Sequence, residues 1–455
     1  MEYKALTPPE WISHSSVYQI NPRTFSVQGT IDAVTQKLPE LAALGFGVMY
    51  LCPVFEEDDS EDRIYWSERQ KKYETQNPKN PYRMNDYFRI DSEYGNMDDL
   101  RHFVAESHRL GMKVLLDLVY LHIGPNADIL KTHPEFAKQD QDGKTVCGPW
   151  MFPYLDYNSE GLREYLWCNM VYYIAVLDVD GFRCDVGDGV PLDFWTEGRR
   201  RIQAVKPDAV LINEGRKWDW AVKGFDITYC FDWHETMYRI FTEGASACGL
   251  REVYEEIEKE APRGIALIRD IDNHDTVTDW PARTETAAGH DGMEQIEVIN
   301  YLIDGVPMIY CGNELADTAK LNMFANRFYM GSYEVTDRDT LVKTAAAARR
   351  MNLLQRLNAM KQNSGLLHNG VTIWAENSAP AQVVSFLRVT DTEKLLFVGN
   401  TARQEIHCQV MSEFIDDNAQ CIMESGRKVQ RNGDKFILPP HGYLVLYWGE
   451  NRNEF

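Results

Sequence analysis

Four carboxylates in this sequence stand within or just after apolar runs, so buried strands would deliver them to one place. Asp117 lies inside KVLLDLV (113–119), Asp185 ends GFRCD and Glu214 ends AVLINE. Asp275 follows GIALIRDID in the triplet Asn273-His274-Asp275. Taken singly, an acid at such a point serves as a cap or turn residue. Convergence of several on one mouth is costly, because like charges held together raise the pKa of one member. That lets a carboxyl stay protonated near neutral pH and act as a general acid. Arg183 falls two residues before Asp185, on the same face of an extended strand, where its charge would hold that carboxylate ionised.

The elements that must position these residues alternate from near residue 15 to near residue 361. SVYQI (16–20), VMYLCPV (48–54), KVLLDLV, VDGFRCD, AVLINE, GIALIRDID and VPMIYCG read as strands. Residues 31–44, 97–111 and 340–360 carry helical spacing, and Gly111 is a helix stop. Continuous apolar strands alternating with helices imply a parallel sheet buried on both faces, and about eight such units imply a closed (β/α)8 barrel. In such a barrel the C-terminal strand ends share one face, where active sites lie. Residues 123–158 interrupt the rhythm with a polar stretch containing Pro and Gly, read as an inserted subdomain. After Leu366 short strands follow one another (VTIWAE, VVSFLRV, LLFVGN, HCQVM, KFILP, YLVLYW), the pattern of an antiparallel β-sandwich. The expected division is therefore 1–122 with 159–365 as the barrel, 123–158 as the insert and 366–455 as a C-terminal domain.

Composition narrows the partners. Apolar residues make up 44% and charged residues 25%, ordinary for a protein with a large core. The net charge of −22 repels phosphate backbones and anionic membrane surfaces, so neither nucleic acid nor membrane is an expected partner. The 9 cysteines are odd in number and form no CxxC pair. Cys52, Cys184 and Cys311 lie in apolar runs, as buried free thiols do, which favours a reducing, cytoplasmic setting. MEYKALTPPEW has no apolar signal segment, and no stretch approaches 18 apolar residues.

Six segments, in order, resemble those of glycoside hydrolase family 13, the α-amylase family. DLVYLH (117–122), GFRCD (181–185), Asn213-Glu214 and Asn273-His274-Asp275 resemble its four motifs. PYRMNDYFRIDSEYGNMDDL (81–100) resembles the segment before the third strand, and GVPMIYCGNE (305–314) the eighth-strand segment. The resemblance implies Asp185 as nucleophile, Glu214 as acid/base and Asp275 as stabiliser of an oxocarbenium-like transition state. It further implies Tyr82 as the platform under a sugar ring and His122 and His274 as ligands of sugar hydroxyls. Asp117, Arg183 and Asn273 complete the expected substrate-binding set. Retaining glycoside hydrolysis needs one ionised carboxylate below the anomeric carbon and one protonated acid above the leaving oxygen. No cofactor is implied.

Two motifs depart from the family pattern. Leu121 stands where the first motif usually has Asn, and Asp188 and Gly189 stand where Lys-His often follow the nucleophile. The Asn and the His carbonyl usually help bind calcium. Leucine offers no oxygen, so no metal is expected. The leaving-group side is expected to be remodelled. The expected activity is hydrolysis of α-1,4 bonds in maltooligosaccharides or related glucans, with soluble oligosaccharides preferred over granular starch. The alternatives are a transglycosylating, isomerising, sucrose- or α-1,6-acting member, or a non-catalytic sugar-binding relative. The loop 56–80, with Tyr65, Trp66 and Tyr73, either adds subsites or packs. Oligomeric state stays open.

Overall fold

The computed structural model describes residues 3–449, apart from 332, 412–414 and 416–417. Eight parallel strands close a barrel: β1 (Val17–Ile20), β2 (Val48–Leu51), β3 (Lys113–Leu118), β4 (Gly181–Cys184), β5 (Val210–Asn213), β6 (Ile227–Thr228), β7 (Ala266–Arg269) and β8 (Val306–Tyr310). They neighbour one another in chain order, and β1 closes the ring by pairing with β8 as well as β2. The sequence reading names seven of them. It misses β6, whose ladder to β5 has only two rungs, Ile212↔Ile227 and Asn213↔Thr228, too short to register as an apolar run.

Strand alternation sorts side chains into two environments. Val17, Val48, Tyr50, Leu115, Val210, Ile212, Ile227, Ile268, Val306 and Met308 fill the barrel interior, while Tyr18, Met49, Val114, Leu116 and Leu211 face the surrounding helices. Stepping two residues onward along the inward face changes its chemistry. Val17 leads to Gln19, Leu115 to Asp117, Gly181 to Arg183 and Ile212 to Glu214. The interior is thus apolar at the N-terminal end and polar at the C-terminal mouth.

The helices follow the sequence reading with local breaks. Met97–Arg109 begins with a capping box, in which Asn96 accepts from the Asp99 backbone N–H and Asp99 accepts from that of Asn96. Beyond its end, Gly111 takes φ +81°, the left-handed conformation that stops a helix cheaply. The expected helix over 31–44 divides into Ile31–Thr35 and Leu38–Ala43, because Pro39 brings no N–H to the first segment and fits the first turn of the second. The run expected over 340–360 divides into Arg338–Leu341 and Ala345–Asn363, where the Thr344 hydroxyl caps the second helix.

Two excursions rise above the mouth. Between β2 and β3, Phe55–Glu57 pairs antiparallel with Met84–Ile90. Between β3 and β4, residues 123–158 form a short helix, Asp128–Thr132, and a loose antiparallel ribbon with bridges His122↔Tyr154, Ala137↔Leu155 and Gln139↔Thr145. Past a one-turn helix, Gly365–Asn369, which spans the expected boundary at 366, nine strands among the described residues build two antiparallel sheets. The first sheet has the order 371–374, 383–389, 394–400, 443–448, 420–424. The second has the order 376–377, 406–411, 435–438, 430–432. Val383, Leu387, Leu396, Val398, Val410 and Phe436 fill the space between them, as in a sandwich. The opposite face of the first sheet, with Phe386, Leu395, Phe397, Val445 and Tyr447, joins the core around the barrel. Arg388, buried on that face, donates to the carbonyls of Leu302, Leu367 and Gly370, ending the barrel helix Thr284–Leu302. The end of the expected C-terminal domain, 450–455, lies outside the described residues.

Candidate active site

The inward positions at the mouth converge on one buried guanidinium. Arg183 Nη1 donates to Asp117 Oδ1 at 2.7 Å and to Asp185 Oδ1 at 2.9 Å, while Nη2 pairs with Glu214 Oε1 at 2.6 Å. Asp117 is held twice more on Oδ2, by Tyr50 Oη at 2.6 Å and Tyr82 Oη at 3.1 Å. Asp117 therefore fixes Arg183, and Arg183 fixes both acids that reach the cleft. Three carboxylates share one cation. Burial pushes the Asp185 carboxyl well up, Arg183 draws it back, and Glu214 and Asp117 add to the rise. The guanidinium is divided among three acids, so a proton retained by the set belongs to the group.

Glu214 is aimed by a strained residue. Val186, next after Asp185, takes φ +43° and ψ +46°, a left-handed conformation unusual for a β-branched side chain. That turn points the Val186 N–H at Glu214 Oε2, 2.8 Å away. Such strain persists only where the surroundings enforce it, and it clusters at functional sites.

Asp275 belongs to a second network. Gln19 Nε2 donates to His274 Nδ1 at 2.9 Å, which leaves the proton on Nε2, and that N–H meets Tyr82 Oη at 2.8 Å. Tyr82 in turn donates to Asp117. Burial lowers the His274 pKa, consistent with this neutral form. The chain Gln19, His274, Tyr82, Asp117 spans the mouth. Burial would raise Asp275, but the positive charges of Arg69 and Arg183 outweigh it and hold the carboxyl well below the usual range. Arg69 Nη1 lies 2.9 Å from Asp275 Oδ1, and 36% of the Asp275 side chain is exposed.

The cleft above these acids measures about 320 Å³, at the small end of ligand sites. Of the expected site residues, Tyr82, His122, Asp185, Glu214, His274 and Asp275 line it. Asp117, Arg183 and Asn273 do not. They lie behind the wall, and Asn273 accepts from the N–H groups of Asp275 and Thr276, shaping the turn that carries Asp275. Tyr82 stacks on His274 at 5.2 Å, so its ring and hydroxyl both serve the network as well as the cleft. His122 donates Nε2–H to the Tyr82 carbonyl at 2.8 Å. Its Nδ1 has no partner among the described residues and remains an acceptor. Burial pushes His122 down to about 4, against the pull of that carbonyl.

Sequence reasoning missed Arg69, Trp150, Met323 and Phe324, which also line the cleft. Arg69 sits in the charged helix Glu68–Lys72, where nothing in ERQKK marks it. Two of the aromatics of loop 56–80 pack: Trp66 is buried and donates to the Ser60 carbonyl, and Tyr73 donates to the Thr278 carbonyl. On the other side, Asp188 accepts from the N–H groups of Arg216 (2.7 Å) and Lys217 (3.1 Å), bracing the turn after Glu214.

At the family's calcium position the two departures meet. The Leu121 methyls lie 3.1 and 3.3 Å from where a Cβ on Gly189 would stand, beside Val186 Cγ1. That apolar contact supplies none of the six to eight oxygens calcium takes, and the residues do not fit the ion.

A closed parallel barrel with paired carboxyls at its C-terminal mouth is an arrangement that glycoside hydrolysis can use. The model of the α-amylase catalytic domain matches residues 13–143. The chain is 23% identical to an intracellular maltogenic amylase of Bacillus subtilis, over 96% of this chain and 77% of that one. It is 26% identical to neopullulanase 2 of Thermoactinomyces vulgaris, over 69% and 58%. Among solved structures, a noncanonic maltogenic α-amylase from Thermotoga neapolitana superposes with a TM-score of 0.80 at 23% identity, covering 96% of this chain and 99% of that one, a likeness of fold. These likenesses are to the α-amylase family, glycoside hydrolase family 13.

Proposed function

We propose that this protein hydrolyses α-glucosidic bonds of maltooligosaccharides or related α-glucans with retention, through a covalent glycosyl-enzyme intermediate. Asp185 attacks the anomeric carbon while Glu214 gives its proton to the bridging oxygen. The C–O bond to the leaving sugar breaks and a glycosyl ester on Asp185 forms. Water then attacks that ester, Glu214 takes the water's proton, and Asp185 is released as a carboxylate. Asp275, held ionised by Arg69, stabilises positive charge growing on the ring. Tyr82 and His122, which line the cleft, orient the sugar.

One observation carries the reading: two nitrogens of the Arg183 guanidinium hold Asp185 and Glu214 together. Bridging by one planar group favours the short carboxyl separation of retaining enzymes, about 5–5.5 Å, over the 6.5–9.5 Å an inverting pair needs for its water. The relatives' names support the substrate class, since they include maltogenic amylase and neopullulanase. A cytoplasmic setting agrees with nine unpaired thiols and with the relative named intracellular. The test is digestion of maltotriose and soluble starch, with the product anomer followed by NMR. The α-anomer should appear first, and Asp185→Asn should abolish it. A β-anomer, or no release of reducing sugar, overturns the reading.

A further inference from the structure

The cleft is not symmetric about its acids. The acid/base must stand beside the leaving oxygen, so the Glu214 side faces the leaving sugar and the Asp275 side faces the glycone. On the Glu214 side the cleft continues: Gly215, Arg216 and Phe231 also border a neighbouring hollow of about 230 Å³ that reaches Trp218 and Asp232. On the Asp275 side Arg69 and Phe324 line it. Arg69 Nε donates to Asp279 at 3.0 Å while Nη1 pairs with Asp275, so the guanidinium is fixed at two points. Its carbon lies 5.7 Å from the Phe324 ring centre.

This wall is built rather than draped. Tyr73 stacks on Phe324 at 6.0 Å and donates to the Thr278 carbonyl at 2.8 Å. Asn77 Nδ2 donates to the Phe324 carbonyl at 3.0 Å, and Lys320 Nζ donates to the carbonyls of Val277 and Thr278. Loop 56–80, the turn after Asp275 and the segment around Phe324 are thus tied together at one end of the cleft. A chain running past Asp275 would have to displace an ion-paired guanidinium from two carboxylates.

We propose that Arg69 is a specificity-determining residue that closes the glycone end, so that the enzyme removes sugar from the non-reducing end of a chain instead of cutting inside it. This rests on the hydrolase reading above. The leaving portion can be long, because that side stays open.

The experiment compares maltoheptaose with maltoheptaose whose non-reducing 4,6-hydroxyls carry an ethylidene block, products being resolved by chromatography. The wild-type enzyme should cleave the blocked chain at least about 100-fold more slowly than the free one, with glucose as the first product of the latter. Arg69→Ala should raise the blocked-to-free rate ratio by about 10-fold or more, as expected when one pocket contact is removed. A variant that was merely unstable would lose both rates in proportion. Equal cleavage of both chains by the wild type overturns the proposal, and an unchanged ratio in Arg69→Ala overturns the role of Arg69. Cleavage of neither substrate removes the hydrolase reading, and this inference with it.

Discussion

Replacing Asp185 with Asn should make the protein inactive and more stable at once. Asn keeps the shape and an acceptor for Arg183, but it is no nucleophile. Loss of at least about 10³-fold in kcat/KM, roughly 4 kcal/mol of transition-state stabilisation, is expected. Stability moves the other way because Asp185 is buried and shares Arg183 with Asp117 and Glu214, and burial and those neighbours raise its pKa. A carboxyl raised in the fold binds its proton more tightly folded than unfolded. Its contribution to stability is therefore fully present below the unfolded value, about 3.9, and is lost as pH rises through the folded value. Asn has no such proton to lose. The variant should match the wild type near pH 4 and exceed it by roughly 1 kcal/mol near pH 7, within the usual range for relieved functional strain. In a chain of this length 1 kcal/mol moves Tm by only about 1 °C, so urea midpoints at several pH values are the better assay. A variant with wild-type turnover, or one whose advantage shrinks as pH rises, refutes the argument.

Arg183→Lys should lower kcat/KM by about 10- to 100-fold, since one ammonium cannot bridge both acids and each charged hydrogen bond is worth about 1.5–3 kcal/mol. Because the guanidinium is what draws Asp185 down, the acid limb of the pH–rate profile should move to higher pH; a shift to lower pH counts against the network. His122, pushed down to about 4, should stay neutral across pH 5–8 in an NMR titration, and a midpoint above 6 would show that its Nδ1 is not the acceptor assigned here. Thermal unfolding with and without a calcium chelator should coincide, because Leu121 and Gly189 fill the family's position with carbon; a large drop with chelator would reveal a site elsewhere.

What could be read from the sequence was what leaves a periodic trace. Seven barrel strands announce themselves as apolar runs, and the placement of Asp185 and Glu214 follows from where those runs end. β6 does not, because two rungs are too few to make a pattern. The split near Pro39 was available, since proline carries its own backbone rule. The division of labour among the site residues was not. Asp117 and Tyr82 both sit in motif segments, yet only distances show that one is buried support and the other lines the cleft. Arg69 and Val186 left no trace at all. The first acts from a charged surface helix folded back over the mouth, and the second acts through a backbone angle rather than a side chain.

The first C-terminal sheet packs on the barrel with one face and on its partner sheet with the other, and Tyr443–Trp448 lies inside that sheet, between 394–400 and 420–424. During synthesis this interior strand emerges after nearly everything it touches. Until it arrives, the sheet has a gap, and the apolar belt of the barrel that Val445 and Tyr447 help cover stands open to water and to other nascent chains. Deleting those six residues would therefore do more than trim a terminal module. It would leave a finished catalytic mouth on a body that cannot close, and insolubility, rather than altered specificity, is what such a truncation would report.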